Sequence, residues 1–143
     1  MKFIIDHILL IAIVLLSGGA LLWPALTARG KRVSALEATQ LINRGKTTIV
    51  DVRDATEFAS GHLQDAKHLP LKELAGRLGE LEKSKNRTII VVCQKGTRAA
   101  AAAGLLAKAG FADVVCLEGG ITEWNKQNLP LVKSAVPAVK LAK

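Results

Sequence analysis

The stretch IIVVCQKGTRAAAAAGLLAKAGF, residues 89–111, contains three different patterns in succession. An apolar run ends at Cys93, a short segment rich in glycine and cations follows, and an alanine-rich segment ends at Gly110. A short run that is apolar throughout is typical of a central strand covered on both faces, and the alanine segment has the composition of a helix. The stretch therefore predicts a strand, a loop and a helix, with a cysteine at the carboxyl end of the strand.

The sequence on either side continues this alternation. β-Branched runs predict strands at residues 46–53 and 112–119, and a brief strand is predicted at residues 66–70. Helix start signals, of which Ser34 with Glu37 is a capping box, and apolar positions at helical spacing predict the helices. They fall at residues 33–45, 54–62, 71–84 and 120–128. Alternating strands and helices predict an α/β fold, with a parallel sheet covered by helices on both faces.

Length and composition limit the possible classes of protein. The 143 residues suit one domain, and two cysteines are too few for a disulfide scaffold. Cys116 lies in a β-branched run, where a thiol usually acts as a small buried hydrophobic group. The net charge is +8, but the basic residues are not interleaved with aromatic residues and the sequence has no zinc-finger spacing. We therefore expect no nucleic-acid partner.

The first part of the chain predicts a membrane anchor. Residues 8–26 carry no charge, and nineteen residues make a helix of about 28 Å, close to the thickness of a bilayer's hydrocarbon core. A cleaved signal peptide is the alternative, but the apolar run is long, Asp6 lies in the leader and no clean cleavage site follows. We therefore expect a flank at residues 1–7, one transmembrane helix at residues 8–26 and a basic linker at residues 27–32.

The charge around this segment predicts where the domain lies. Cations crowd the far end of the apolar run, at Arg29, Lys31 and Arg32, which places that end in the cytoplasm. The expected location is a bacterial inner membrane crossed once, with the lipid bilayer as a partner and a membrane protein as a further candidate partner. The domain is expected at residues 33–133, followed by a flexible basic tail at residues 134–143.

The loop after the central strand is the candidate site, because ligands collect at the carboxyl ends of parallel strands. A helix N-terminus favours a thiolate, and Lys95 and Arg98 add two positive charges. Gly96 lets the backbone curl so that several amides converge. We therefore predict that Cys93 is an exposed, ionised nucleophile. His62 and His68 lie outside the loop, and a thiolate made by electrostatics needs no base, which favours sulfur transfer.

Three separated motifs resemble the rhodanese family of sulfurtransferases across residues 33–132. They are VDVRDATEFASGHLQDAKHLP at residues 50–70, CQKGTR at residues 93–98 and LEGGITEWNKQNLPL at residues 117–131. The resemblance implies a five-stranded sheet and a persulfide on Cys93, loaded from a small anionic donor such as thiosulfate and passed to a thiol or protein acceptor. No cofactor or metal is implied. The loop residues implied to hold the anion are Gln94, Lys95, Gly96, Thr97 and Arg98.

Other motif residues have structural interpretations. Asp51, Arg53 and Glu57 are expected to form an ion-pair network at the strand end, and Gly119 and Gly120 to allow a tight turn beside the loop. Four residues between Cys93 and Arg98 are one fewer than in the phosphatase of the same fold, which argues against a phosphatase. The alternatives left open are a docking module at the membrane with little catalysis, and a redox thiol switch.

Overall fold

The computed structural model describes residues 2–27 and 30–134, with side chains for residues 2–20 and 30–134. Two helices come first, α1 (Lys2–Asp6) and α2 (Ile8–Thr27). Among the residues that the structure describes, no helix is long and apolar enough to cross a membrane. Residues 8–26 form a helix as predicted, but the transmembrane span is not supported.

The remaining chain builds a five-stranded parallel sheet. Its strands are β1 (Lys31–Val33), β2 (Thr47–Asp51), β3 (Lys67–His68), β4 (Thr88–Val92) and β5 (Asp113–Leu117). Their order across the sheet is β1-β5-β4-β2-β3, so β4 is central. The register pairs Val50 with Val91 and Val91 with Cys116. The predicted α/β fold with a five-stranded parallel sheet is confirmed.

Helices cover the sheet on both faces, and the alternation of side chains along β4 divides the core in two. Ile89 and Val91 pack into one apolar cluster, and Ile90 and Val92 into the other. Each of the four side chains is fully buried. The covering elements are α3 (Ala35–Asn43), α4 (Ala55–Ser60), α5 (Leu71–Leu74), a 3-10 helix (Leu78–Ser84), α6 (Thr97–Lys108) and α7 (Gly120–Lys126).

The helix start signals are confirmed at atomic level. The Ser34 side chain accepts a hydrogen bond from the Glu37 N–H at 3.3 Å, and the Ser34 N–H donates to Glu37 Oε2 at 2.8 Å. At α4 the Asp54 N–H donates to Glu57 Oε2 at 3.0 Å. These bonds satisfy N–H groups that a helix start leaves without an intrahelical partner.

Two elements differ from the expectation. Residues 31 and 32, assigned to the linker, lie in strand β1, which pairs with β5 from Lys31 opposite Val115. Such a short, charged strand has no recognisable pattern and forms because β5 offers an open edge. Residues 71–84 are not one helix but α5 followed by the 3-10 helix. Gly76 and Gly79 weaken a continuous α-helix, whereas the buried leucines keep the helical spacing.

Candidate active site

Cys93 follows β4 directly and opens the loop that leads into α6. Gly96 turns the chain with a φ of +102°, a conformation that favours glycine, and its N–H donates to Cys93 Sγ at 2.9 Å. Cys93 has no solvent-exposed surface, so the prediction of an exposed thiol is wrong. The reason is that the loop curls around its own sulfur and the first turn of α7 packs against the loop's main chain.

The two loop cations have different surroundings. Lys95 is exposed. Arg98 instead makes a two-pronged contact with Glu57, from Nη1 to Oε2 at 2.8 Å and from Nη2 to Oε1 at 2.9 Å. The positive charge of Arg98, which we expected to bind the anionic sulfur donor, is therefore paired with a carboxylate of α4. Such paired, charge-assisted hydrogen bonds fix the orientation of the guanidinium plane.

The Glu57–Arg98 contact changes the titration of both groups. Hydrogen bonds from Arg98 are the largest cause that lowers the pKa of Glu57 to about 2, against a smaller opposing effect of burial. The same hydrogen bonds raise the pKa of Arg98. The pair thus stays ionised at any physiological pH and ties α4 to the start of α6.

A second ion pair lies beneath the loop. Arg53 is 1% exposed, and its Nη2 donates to Asp51 Oδ2 at 2.8 Å and to the Gly61 carbonyl at 2.6 Å. Its Nη1 donates to Gln94 Oε1 at 3.2 Å. The predicted network of Asp51, Arg53 and Glu57 is thus two ion pairs, because Glu57 pairs with Arg98. The Gln94 side chain serves to link Arg53 to the loop.

The first turn of α7 locks the loop from the other side. The Ile121 N–H donates to the Cys93 carbonyl at 2.9 Å, and Thr122 Oγ1 donates to the Gln94 carbonyl at 3.0 Å. A side chain at Gly120 would overlap the Cys93 carbonyl and approach the Gln94 carbonyl oxygen to 2.7 Å. The predicted tight turn at Gly119 and Gly120 is present, with φ of +71° and +58°.

Neither histidine is placed to act on Cys93 through the contacts that the structure describes. His62 Nδ1 lies 2.9 Å from the Phe58 carbonyl, and His68 Nε2 lies 2.8 Å from the Arg53 carbonyl. Both rings stack on the ring of Phe58, at centroid distances of 3.8 and 4.5 Å. His62 also exchanges main-chain hydrogen bonds with Val132. These are packing and turn roles.

Cys116 is buried, 3% exposed, and free, as is Cys93. Burial is the largest cause that raises the pKa of its thiol to about 11, with a smaller contribution from Cys93. Its Sγ lies 3.4 Å from the Ala99 carbonyl. The prediction that Cys116 is a small buried hydrophobic group agrees with this position. Trp124 is likewise a core residue, 5% exposed.

A cavity of about 470 Å³ adjoins the loop. It lies between the loop, the end of β5 and strand β1. Its walls are Arg32, Lys95, Gly96, Thr97, Ala100, Cys116, Leu117, Glu118 and Gly119.

These features define a parallel α/β domain whose candidate functional centre is a cysteine in a curled loop at the start of a helix. The sequence profile described as the rhodanese-like domain matches residues 34–127. The chain therefore belongs to the rhodanese-like family.

Curated relatives agree with this assignment. The chain is 40% identical over 110 residues to the uncharacterized protein YibN of Escherichia coli K12, covering 76% of this chain and 77% of that protein. It is 34% identical over 98 residues to the thiosulfate sulfurtransferase GlpE of Shewanella oneidensis, covering 68% and 95%. A Buchnera aphidicola protein is 31% identical over 91% of this chain and 93% of its own length.

Solved structures show the same fold. A rhodanese-related protein of Thermoplasma volcanium superposes with a TM-score of 0.66 at 29% identity, covering 73% of this chain and 99% of that one. A rhodanese-like domain protein of Staphylococcus aureus gives a TM-score of 0.65, also at 29% identity, with coverage of 73% and 99%. The predicted family is therefore confirmed.

Two residues at the site were not found from the sequence. Thr122 binds the Gln94 carbonyl and accepts from Gln94 Nε2 at 3.1 Å, a contact that exists only because α7 meets the loop. Arg32 reaches the cavity because β1 pairs with β5, and the strand itself was not recognised. No local pattern marks either residue, since both contacts join distant parts of the chain.

Proposed function

We propose that this protein is a sulfurtransferase that carries a sulfane sulfur as a persulfide on Cys93. The donor is a small anion of the thiosulfate type, and the acceptor is a thiophilic molecule or protein. The observation that carries the proposal is the hydrogen bond from the Gly96 N–H to Cys93 Sγ, at the N-terminus of the twelve-residue helix α6. Both the amide and the positive end of the helix dipole favour negative charge on the sulfur. Relatives named thiosulfate sulfurtransferase support the same chemistry.

The reaction has two displacements. The Cys93 thiolate attacks the outer sulfur of thiosulfate, an S–S bond forms, the S–S bond of thiosulfate breaks, and sulfite leaves with the bonding electrons. The acceptor thiolate or cyanide then attacks the outer sulfur of the persulfide and releases the Cys93 thiolate. Both leaving groups are anions, so neither step needs a general acid. This agrees with the positions of His62 and His68, whose described hydrogen bonds lie away from Cys93.

The experiment measures thiocyanate formed from thiosulfate and cyanide. Replacing Cys93 with Ser should lower the rate by at least about a thousandfold, because it removes the nucleophile. Mass spectrometry of the wild-type protein mixed with thiosulfate should show one added sulfur on the peptide that contains Cys93. The peptide that contains Cys116 serves as the internal control and should gain none, since that thiol is protonated at neutral pH. Equal rates for the wild type and the variant would disprove catalysis and favour a docking role.

We further propose that the N-terminal segment holds the domain at the cytoplasmic face of a bacterial inner membrane. The described side chains of α1 and α2 include a run of apolar residues with large exposed fractions, such as Phe3 at 74% and Leu16 at 74%. Exposed apolar surface of this extent is unfavourable in water and marks an interaction site. The uncharged residues 8–26 and the cations after them support lipid as the partner.

A further inference from the structure

The cavity beside the active-site loop carries a distinctive set of charges. Arg32 and Lys95 are its cations and Glu118 its carboxylate, and all three residues are exposed. None of them forms an ion pair with another residue in the part of the chain that the structure describes. The cavity therefore offers two positive groups and one negative group to a ligand.

The floor of the cavity is neutral. Leu117 is fully buried, and the Cys116 thiol keeps its proton at neutral pH because burial raises its pKa to about 11. A protonated thiol is a poor nucleophile, so Cys116 does not compete for a sulfane sulfur held nearby. The floor thus carries neither a charge nor a reactive group.

Gly96 connects the cavity to the reacting sulfur. Gly96 forms part of the cavity wall, and its N–H donates to Cys93 Sγ at 2.9 Å. Cys93 itself does not line the cavity, but a ligand seated against Gly96 contacts the residue whose N–H binds Sγ, and the outer sulfur of a persulfide would extend about 2 Å beyond Sγ.

The size of the cavity indicates more than the donor. Small-molecule sites usually enclose about 300–1,000 Å³, and 470 Å³ lies within that range. An oxyanion with five non-hydrogen atoms, such as thiosulfate, would fill a small part of it. The remaining space and the three charges suit a larger molecule with carboxylate and ammonium groups.

We propose that this cavity binds the sulfur acceptor, and that the acceptor is a low-molecular-weight thiol of the amino-acid or small-peptide class. Its carboxylates pair with Arg32 and Lys95, its ammonium group pairs with Glu118, and its thiolate attacks the outer sulfur of the Cys93 persulfide. This inference rests on the proposed sulfurtransferase function, since it names the acceptor of that reaction.

The test isolates the second displacement. The full-length protein in detergent is first loaded with sulfur by thiosulfate and separated from the excess thiosulfate. It is then mixed with one thiol, and intact-mass spectrometry measures how fast the added sulfur is lost. The probes are glutathione, which has two carboxylates and one ammonium group, and uncharged 2-mercaptoethanol. Rates are compared at equal thiolate concentration. Wild-type protein should react at least about fivefold faster with glutathione, and Arg32→Gln should lower the ratio of the two rates about fivefold.

The control for lost charge is Arg44→Gln. Arg44 is an exposed arginine at the end of α3 that does not line the cavity, and this variant should keep the wild-type ratio. Glu118→Gln tests the other charge without replacing a residue of β1. It should slow the reaction with glutathione and speed the reaction with 3-mercaptopropionate, an anion without an ammonium group, because the repelling carboxylate is gone.

The outcomes separate the two proposals. If Cys93 takes up no sulfur from thiosulfate, the sulfurtransferase proposal fails and the acceptor site fails with it. If sulfur is loaded but wild-type protein shows no preference for glutathione, the acceptor site alone is overturned. The same conclusion follows if Arg32→Gln and Arg44→Gln give equal ratios.

Discussion

At the scale of single residues, the site separates the charges that stabilise the loop from those that remain for a ligand. Arg98 and Glu57 neutralise each other across a contact of 2.8–2.9 Å, and Arg53 is neutralised by Asp51. Lys95 and Arg32 stay exposed. Ions that are bound by partners of fixed geometry hold structure, whereas exposed cations remain available to an anion.

Glu57→Gln should reduce stability in a way that depends on pH. The pKa of Glu57 is lowered in the folded state to about 2 from 4.5, so its contribution is fully present above pH 4.5 and is lost as pH falls toward 2. At pH 7 the free energy of unfolding of the variant should be about 1–2 kcal/mol smaller than that of the wild type, after allowance for solvent screening of a partly exposed pair.

Chemical denaturation at a series of pH values measures this difference. The two proteins should converge in stability between pH 4.5 and pH 2, as the wild-type carboxylate takes up its proton. A matched variant is Glu82→Gln, which removes a carboxylate from the exposed pair with Lys85 and should change stability by less than about 0.5 kcal/mol. A Glu57 effect that stays constant across this pH range would contradict the assignment of its pKa.

At the scale of elements, the active-site loop is held between three helices. α4 binds it through Glu57, α6 continues from it, and the first turn of α7 binds its main chain through Ile121 and Thr122. Because the carbonyl groups of Cys93 and Gln94 accept hydrogen bonds from Ile121 and Thr122, the main chain of the loop is fixed against α7. The conformation of the loop therefore depends on where α7 begins.

Gly120→Ala should displace α7 from the loop. The new methyl group would overlap the Cys93 carbonyl, and the φ of +58° is itself unfavourable for alanine. We expect a loss of at least about 2 kcal/mol in the free energy of unfolding, together with a lower rate of sulfur transfer.

The control is Gly104→Ala in α6, where the methyl group would meet no atom within 4 Å. It should leave activity unchanged and raise stability by up to about 1 kcal/mol, because alanine favours the helix. Denaturant unfolding and the thiocyanate assay measure both effects. Equal stability of the two variants would show that the contact between α7 and the loop is not tight.

At the scale of the whole molecule, a helical N-terminal segment with exposed apolar side chains precedes a charged α/β domain. Large apolar residues on α3 are exposed singly, as with Leu36, which is normal for a protein surface. On α1 and α2 they follow one another along the chain. This difference is the basis for the proposed attachment to a membrane.

Leu15→Arg should weaken that attachment. Leu15 is 70% exposed on α2, and an arginine in a lipid-embedded helix costs about 2.5–3.5 kcal/mol. Leu36→Arg makes the same change at a leucine that is 67% exposed on α3 and should have no effect on membrane binding. Cell fractionation of the full chain measures the outcome. Wild type and Leu36→Arg should sediment with membranes and resist salt extraction, and a wild-type protein found in the supernatant would disprove the attachment.

The sequence alone determined most of the elements and the centre of the site. Apolar runs, capping boxes and glycines act through local geometry, so β4, α3, α6 and the loop at Cys93 could be predicted from neighbouring residues. The number of strands came only through the resemblance, since three residues of β1 have no pattern of their own. The break between α5 and the 3-10 helix was also missed, because the leucine spacing continues across it.

Tertiary structure decided the environment of the residues that the sequence identified. It buried Cys93, paired Arg98 with Glu57, brought Thr122 to the loop and placed Arg32 beside Lys95 in one cavity. The contacts of Arg98 with Glu57 and of Thr122 with Gln94 join residues that are 41 and 28 positions apart. Local sequence patterns carry information about backbone conformation within a few residues, whereas contacts at this separation depend on how the strands are ordered in the sheet.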